Sequence, residues 1–330
     1  MKTLYFYVGH RDLVGGGQLA LYHLAWALQD SFDVYLSSDF HPGMDGFEFM
    51  APPRKPWKIG MPENVDVFLA SSYTECPMPC GKVNLFYTFY PRMPAPPKSY
   101  DFIFTLSDFS RDAVFQNWGR ESYKICGGVF TDNYKPILPK EKIVLNSSRF
   151  FIEGDANTFW GHSKNQHVLI SAFKAGLERS TFPDWKLILA GSVLTQQDGE
   201  YLNACRRLAG DDPRIEFKPM LGKDALADLY GRADIFVSAM GYGRHDQAET
   251  EHYGLAVEKA VLSGCYSVVH DSGGAPEIAT ETWRTPEDLA EKILHVAQIF
   301  SGGAIPVDPK RARSLEMWRK EVAETFRAWA

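Results

Sequence analysis

Apolar residues fall into two alternating kinds of stretch along this chain. Short runs of strand character recur at TLYFYV (3–8), DVYLSS (33–38), VDVFLAS (65–71), VNLFYTF (83–89) and DFIFTLS (101–107). Between the first two lies QLALYHLAWALQDSF, where Leu19, Tyr22, Leu24, Trp26 and Leu28 recur at helical spacing. A strand, a glycine loop, a helix and a second strand make a unit that builds parallel sheets. SDFSRDAVFQNWG (107–119) predicts another helix, with Ser107 or Asp108 as N-cap and a glycine stop. Residues 40–62 and 90–98 are rich in Pro and Gly and read as loops. YKPILPKEK (134–142) breaks the pattern with two prolines and mixed charge and reads as a linker.

The alternation then restarts. KIVLNSS, WKLILAGS, DIFVSAM and CYSVVHD predict strands. NQHVLISAFKAGLER, GEYLNACRRLAG, KDALADLYGRA, GLAVEKAVLSG, PEDLAEKILHVAQIF and SLEMWRKEVAETFRAWA predict helices. Residues 150–163 read as a loop containing glycine and aromatics. The expected fold is α/β: two doubly wound domains, 1–137 and 138–310, with a cleft between them and a final helix over 311–330. Ligands of such sheets sit at the carboxyl ends of the strands.

Composition narrows the partners. The chain has 330 residues, 45% hydrophobic and 23% charged, with a net charge of -6. That balance argues against nucleic acid as a partner and against more than peripheral membrane contact. No apolar run is long enough to span a bilayer. MKTLYFYVGH reads as a first strand without signal-peptide features, so a cytoplasmic location is expected. The Cys count is 5, an odd number that fits reduced thiols. Cys76 and Cys80 stand in CPMPC, but no second Cys/His pair has zinc-ligand spacing.

Three stretches carry candidate chemistry. GGG at 15–17 lies between the first strand and helix, where backbone N–H groups can meet an anion. Asp39 stands about 20 positions on, as in a dinucleotide fold, but Gly9, Gly15, Gly16 and Gly17 do not form G-x-G-x-x-G. A nicotinamide-dependent oxidoreductase is therefore disfavoured, and a tight turn reads equally well. NSSRFFIEGDANTFWGHSKNQHVLISAF (146–173) places Arg149 at a strand end and Lys164 before a helix. Two such cations suit a diphosphate, although a lone pair of this kind reads first as surface charge. EHYGLAVEKAVLSGCYSVVHDSGGAPE (251–277) offers Glu251 before a helix and Gly273-Gly274 after a strand. A carboxylate there can accept from sugar hydroxyls or cap the helix. His245, Asp246, Glu249, Glu251 and His252 cluster nearby without metal-ligand spacing and read as a solvated loop.

These pieces together resemble the glycosyltransferase family 4 group of nucleotide-sugar-dependent transferases, over most of the chain. The 251–277 stretch is similar to that family's E-x7-E segment and the G-G-x-x-E loop after it. The 148–174 stretch resembles its Arg…Lys phosphate motif, in the branch with a longer Arg-to-Lys loop. RIEFKPMLGKDALADLYGRADIFVSA, YDFIFTLSDFSRDAVFQNWG and the 15–17 glycines resemble its other segments.

The resemblance implies a GT-B architecture, with donor bound mainly by the second domain and the last helix crossing back to the first. It implies a retaining, metal-independent glycosyltransferase with no cofactor, moving a sugar from a nucleotide diphosphate-sugar to a hydroxyl of a glycan, lipid-linked or small-molecule acceptor. A catalytically weakened nucleotide-sugar-binding protein is the alternative. Arg149 and Lys164 would hold the diphosphate and Glu251 the transferred sugar, with Gly16, Gly17, Gly273 and Gly274 lining the site. Tyr253, Gly254, Leu255, Glu258 and Lys259 complete the expected donor-binding set.

Two departures stand out. The second glutamate position of E-x7-E falls on Lys259, with Glu258 one residue early. One residue is about 100° of helix rotation, so either residue is a candidate for the ribose contact. The stretch NLFYTFYPRMP (84–94) has Thr88 and no His where family members often carry one. Phe40, Phe47, Trp57, Phe86, Tyr87, Phe89 and Tyr90 read mainly as packing, with acceptor stacking as the other option.

Overall fold

The computed structural model describes residues 1–9, 16–38, 55–71, 76–92, 94–127, 133–178, 184–299 and 315–329. Gly15, Asp39, Phe40 and Phe47 lie outside the described residues. The chain forms two compact units, Met1–Phe130 with Arg313–Ala330, and Thr131–Ala312.

The first unit runs β1 (Lys2–Val8), α1 (Gly16–Leu28), β2 (Phe32–Leu36), β3 (Lys58–Ile59), β4 (Val67–Ser71), β5 (Val83–Tyr87), β6 (Phe102–Thr105), α2 (Asp108–Trp118) and β7 (Tyr123–Lys124). Its sheet has seven strands in the order β3-β2-β1-β4-β5-β6-β7, and every described pair is parallel. Continuous burial along β4 is what a sheet covered on both faces requires. Ser107 is the N-cap of α2, its hydroxyl accepting from the Ser110 N–H, and Gly119 closes the helix at φ 62°. Phe86, Tyr87, Phe89 and Tyr90 are buried. The Thr88 hydroxyl donates to the Tyr90 carbonyl at 2.9 Å. These positions pack the unit's interior.

The second unit runs β8 (Ile143–Ser147), β9 (Ile152–Asp155), β10 (Trp160–Ser163), α3 (Gln166–Glu178), β11 (Lys186–Gly191), α4 (Gln196–Ala209), β12 (Ile215–Pro219), α5 (Lys223–Arg232), β13 (Ile235–Ser238), α6 (Leu255–Leu262), β14 (Tyr266–His270), β15 (Glu281–Trp283) and α7 (Pro286–Ile299). Its main sheet is β12-β11-β8-β13-β14-β15, parallel throughout. The strand order reverses between β8 and β13, as in a Rossmann sheet, and that reversal is where such sheets hold their ligands. Trp185, Trp283, Tyr201 and Phe150 anchor the core between sheet and helices. Two Rossmann-like parallel-sheet units are the secondary architecture of the GT-B class.

Two stretches differ from their sequence reading. Residues 152–163 form an antiparallel hairpin rather than a loop, with Trp160 opposite Asp155 and Ser163 opposite Ile152. Asp155 closes its turn by accepting from the Asn157 N–H and the Thr158 hydroxyl, both at 2.9 Å. Helix α4 starts at Gln196, ahead of the expected Gly199, because Thr195 and Asp198 form a capping box.

The last helix, α8 (Leu315–Trp329), belongs to the first unit. Its buried positions Trp318, Val322 and Phe326 recur every fourth residue. Phe326 stacks on Phe104 at 5.4 Å and the Trp318 indole donates to the Cys126 carbonyl at 2.8 Å. Among the described residues no helix is long and apolar enough to cross a membrane.

Candidate functional site

The site candidates of the second unit gather at the β8/β13 reversal. Strand β8 ends at Ser147 and the chain turns out at Ser148-Arg149. Gln166, the buried first residue of α3, pins that turn from below. Its amide donates to the Arg149 carbonyl at 3.0 Å and to the Ser148 hydroxyl at 3.0 Å. The Arg149 guanidinium is itself engaged. Its Nε and Nη2 donate to the two oxygens of Asp198 at 2.8 and 3.1 Å. Burial pushes the Asp198 carboxyl up, but the Arg149 guanidinium, the Leu194 N–H and the Thr195 side chain outweigh it and hold it below the ordinary range.

Lys164 stands between the hairpin and α3. Its neighbour Asn165 holds a left-handed backbone, φ 56°. The Asn165 amide donates to the carbonyls of Ala239 and Tyr242, both at 3.0 Å. One side chain thus ties the start of α3 to the segment leaving β13. Across that tie, the Lys164 ammonium lies 3.4 Å from a Glu251 oxygen, each side chain about a quarter to a third exposed (27% and 31%). Two residues back, His162 is kept below its ordinary pKa by burial, although Glu249 and Glu153 pull the other way.

Glu251 is placed through its backbone. Its carbonyl accepts from the Gly274 N–H at 2.7 Å. Gly273 turns that loop at φ +72°, and a Cβ there would fall 2.2 Å from the Glu251 oxygen. Only glycine meets both conditions. Gly273→Ala is expected to destabilise the second unit by about 1–3 kcal/mol, read as a lower calorimetric midpoint. An unchanged midpoint would show that the loop relaxes without cost.

After Tyr253, which is buried, Gly254 caps α6 at φ 103° and Leu255 opens the helix half-buried. Glu258 is buried at 4% exposure in the first turn of α6. Lys259 points elsewhere, its ammonium 5.3 Å from the centre of the Tyr134 ring. Burial pushes the Lys259 pKa down to about 8, with Glu258 opposing. The two residues thus separate: the Lys259 ammonium lies over the Tyr134 ring, and Glu258 is buried.

The structure therefore brings Arg149, Lys164, Glu251, Gly273 and Gly274 to one strand-end region of the second unit. Gly16 and Gly17 form the first turn of α1 in the first unit. Asp198, Asn165 and Gln166 escaped the sequence reading. Signals existed for two of them: T-x-x-D before a helical run is a capping box, and Asn is enriched at left-handed φ. In the 245–252 cluster, Asp246 caps its own short turn by accepting from Ala248 N–H at 2.8 Å, and Glu249 lies 3.6 Å from Arg244. Among the described residues no three His, Cys, Asp or Glu side chains gather as a metal site requires.

Comparison with known proteins addresses the same region. Residues 159–296 match the family model of glycosyl transferases group 1. The match runs from the β9–β10 turn through most of α7. Among curated proteins, a Neurospora crassa GDP-Man:Man(3)GlcNAc(2)-PP-Dol alpha-1,2-mannosyltransferase is 31% identical over 118 residues, covering 34% of this chain and 19% of that protein. A mannosylfructose-phosphate synthase of Agrobacterium fabrum is 23% identical over 186 residues, 54% of this chain and 39% of that protein. The chain thus spans well under half the length of these relatives. Among solved structures, Anabaena HepE in complex with UDP superposes with a TM-score of 0.69 at 16% identity, covering 99% of this chain and 100% of that one. AviGT4, a glycosyltransferase involved in avilamycin A biosynthesis, gives 0.66 at 15% identity over 100% and 97%. At these identities the likeness is one of fold, and the fold is that of GT-B glycosyltransferases.

Proposed function

We propose that the protein is a retaining glycosyltransferase that takes a sugar from a nucleotide diphosphate-sugar and passes it to an acceptor hydroxyl. The observation that carries this reading is the pairing of Lys164 with Glu251 beside the Gly273-Gly274 loop, at the strand-order reversal of a Rossmann sheet. In this reading Arg149 and Lys164 neutralise the charge that develops on the departing diphosphate, and Gly273 and Gly274 line the phosphate and sugar region. Glu251 accepts from hydroxyls of the transferred sugar. Glu258, rather than Lys259, takes the nucleotide ribose. The leaving group is assigned to side-chain cations, so the reading needs no metal ion. HepE has been solved with UDP and with UDP-glucose, which supports a nucleotide-sugar donor for a chain of this fold.

The test is a panel of UDP-, GDP-, dTDP- and ADP-sugars, followed for binding, slow hydrolysis and transfer, with and without EDTA. At least one donor is expected to bind and turn over, unaffected by EDTA, and NMR of the product is expected to show the donor's anomeric configuration. Glu251→Ala is expected to lower turnover of that donor roughly 10- to 100-fold, through lost orientation of the sugar. Failure of every donor to bind would sink the reading. Binding without turnover, in the presence of simple sugar acceptors, would replace it with a nucleotide-sugar-binding protein.

A further inference from the structure

Arg149 is held as few surface arginines are. Its Nε and one Nη2 hydrogen are spent on Asp198, at 2.8 and 3.1 Å. Asp198 cannot follow the arginine if it moves. Its side chain is only 2% exposed, and the oxygen that takes Nε also accepts from the Leu194 N–H at 2.7 Å and the Thr195 N–H at 3.2 Å. Thr195 answers through its hydroxyl, which accepts from the Asp198 N–H at 3.1 Å. The carboxylate is thus built into the capping box of α4. Gln166 fixes the other end of the residue through the Arg149 carbonyl at 3.0 Å. The Phe151 ring lies 5.3 Å from the guanidinium carbon.

A guanidinium carries five N–H donors in a rigid fork. With Nε and one Nη2 hydrogen taken, three remain: both on Nη1 and the second on Nη2. These form the end-on edge of the fork, which matches two oxygens of a phosphate. The side chain is 28% exposed, and among the described residues none accepts from these three hydrogens.

We propose that Asp198 is a positioning residue for the transfer reaction: it locks the Arg149 fork against the α4 cap and leaves its Nη1–Nη2 edge as the diphosphate contact. This rests on the donor-diphosphate reading above. Asp198 partly cancels the charge of Arg149, so it does not serve simple attraction of the anion. What it supplies is direction, with the side-chain entropy of the arginine already lost before the donor arrives. Its effect belongs to the transition state, where charge concentrates on the leaving diphosphate and the donor must be in register.

Asp198→Asn separates this role from helix capping. An Asn oxygen at the inner position still accepts from Leu194 and Thr195. Its NH2 then faces Nη2, donor against donor, and the two-point fork becomes a single bond. The experiment uses the full chain and whichever nucleotide-sugar of the panel it turns over, UDP-glucose first. Asp198→Asn is expected to lower kcat about 10- to 100-fold, with KM within about threefold of wild type. In an Arg149→Lys background, which cannot form the fork, adding Asp198→Asn is expected to change kcat by less than about twofold. A kcat unchanged in Asp198→Asn, or an equal fall in both backgrounds, would overturn the inference and leave the donor reading standing. A wild-type protein that binds no nucleotide-sugar would overturn both.

Discussion

Lys164→Ala is expected to lower donor turnover about 100- to 1000-fold, the range seen when a charge-stabilising group is removed from a transition state. Two effects add. In the proposed reaction the departing diphosphate loses one of its two cations, and the Glu251 carboxylate, 3.4 Å from the ammonium in the wild type, loses its counter-charge. A bare carboxylate beside a developing anion raises the barrier further. The fold is not at stake, because the side chain is 27% exposed and exposed ion pairs of this kind contribute at most about 1 kcal/mol. A thermal midpoint near that of wild type is therefore expected alongside the kinetic loss. The measurement is kcat and KM for the active donor. Lys164→Ala turning over within about threefold of wild type would remove Lys164 from the chemistry while leaving donor binding intact. Glu251→Gln in the Lys164→Ala background is expected to recover part of the loss, since it removes the stranded charge.

The two sheets were legible because their strands are buried on both faces. VDVFLAS and KIVLNSS read as strands since a covered parallel strand must be apolar almost throughout. The edge strands β3, β7 and β15 carry no such imprint. They are two or three residues long, and their pairing depends on a neighbour already in place. The hairpin over 152–163 leaves no such pattern for a similar reason: half of its strand residues are exposed, and what fixes it is the turn chemistry of Asp155. At the site, charged residues at strand ends could be named from sequence, but not what restrains them. Asp198 lies 49 positions from Arg149 and Asn165 lies 74 from Ala239, so neither contact leaves a local pattern. The choice between Glu258 and Lys259 also lay beyond local spacing. Tyr134, which precedes β8 and stacks edge-on against Tyr230 of α5, draws the Lys259 ammonium to the α5 side of α6. Glu258, about 100° round the helix, is buried on a different face.

Lys140→Met is expected to cost the second unit about 2–4 kcal/mol, the sum of lost charge-assisted bonds less the desolvation that methionine avoids. Lys140 is buried at 5% exposure. All three ammonium hydrogens are used, on the carbonyls of Gly231 at 3.0 Å, Ala233 at 2.6 Å and Ser263 at 2.8 Å. Burial draws its pKa below the ordinary lysine value, while Cys265 and Asp234 pull the other way. Those carbonyls lie at the ends of α5 and α6, where helix dipoles concentrate negative potential. One cation thus closes two helices onto the lead-in to β8. Methionine fills nearly the same volume and donates nothing. The Gly231 carbonyl keeps the Ile137 N–H, and the Ala233 carbonyl keeps the Cys265 thiol. Ser263 loses the Lys140 bond without either replacement, and its residue is the C-cap of α6. Since Gly254, the N-cap of α6, stands three residues after Glu251, loosening the far end of α6 reaches the proposed donor site through a rigid element. The calorimetric midpoint is expected to fall by roughly 5–15 °C for a unit of this size. Donor affinity is expected to weaken alongside it as temperature approaches the lowered midpoint. A midpoint within about 1 °C of wild type would show that desolvation of the ammonium cancels all three bonds, and that α5 and α6 are held by packing alone.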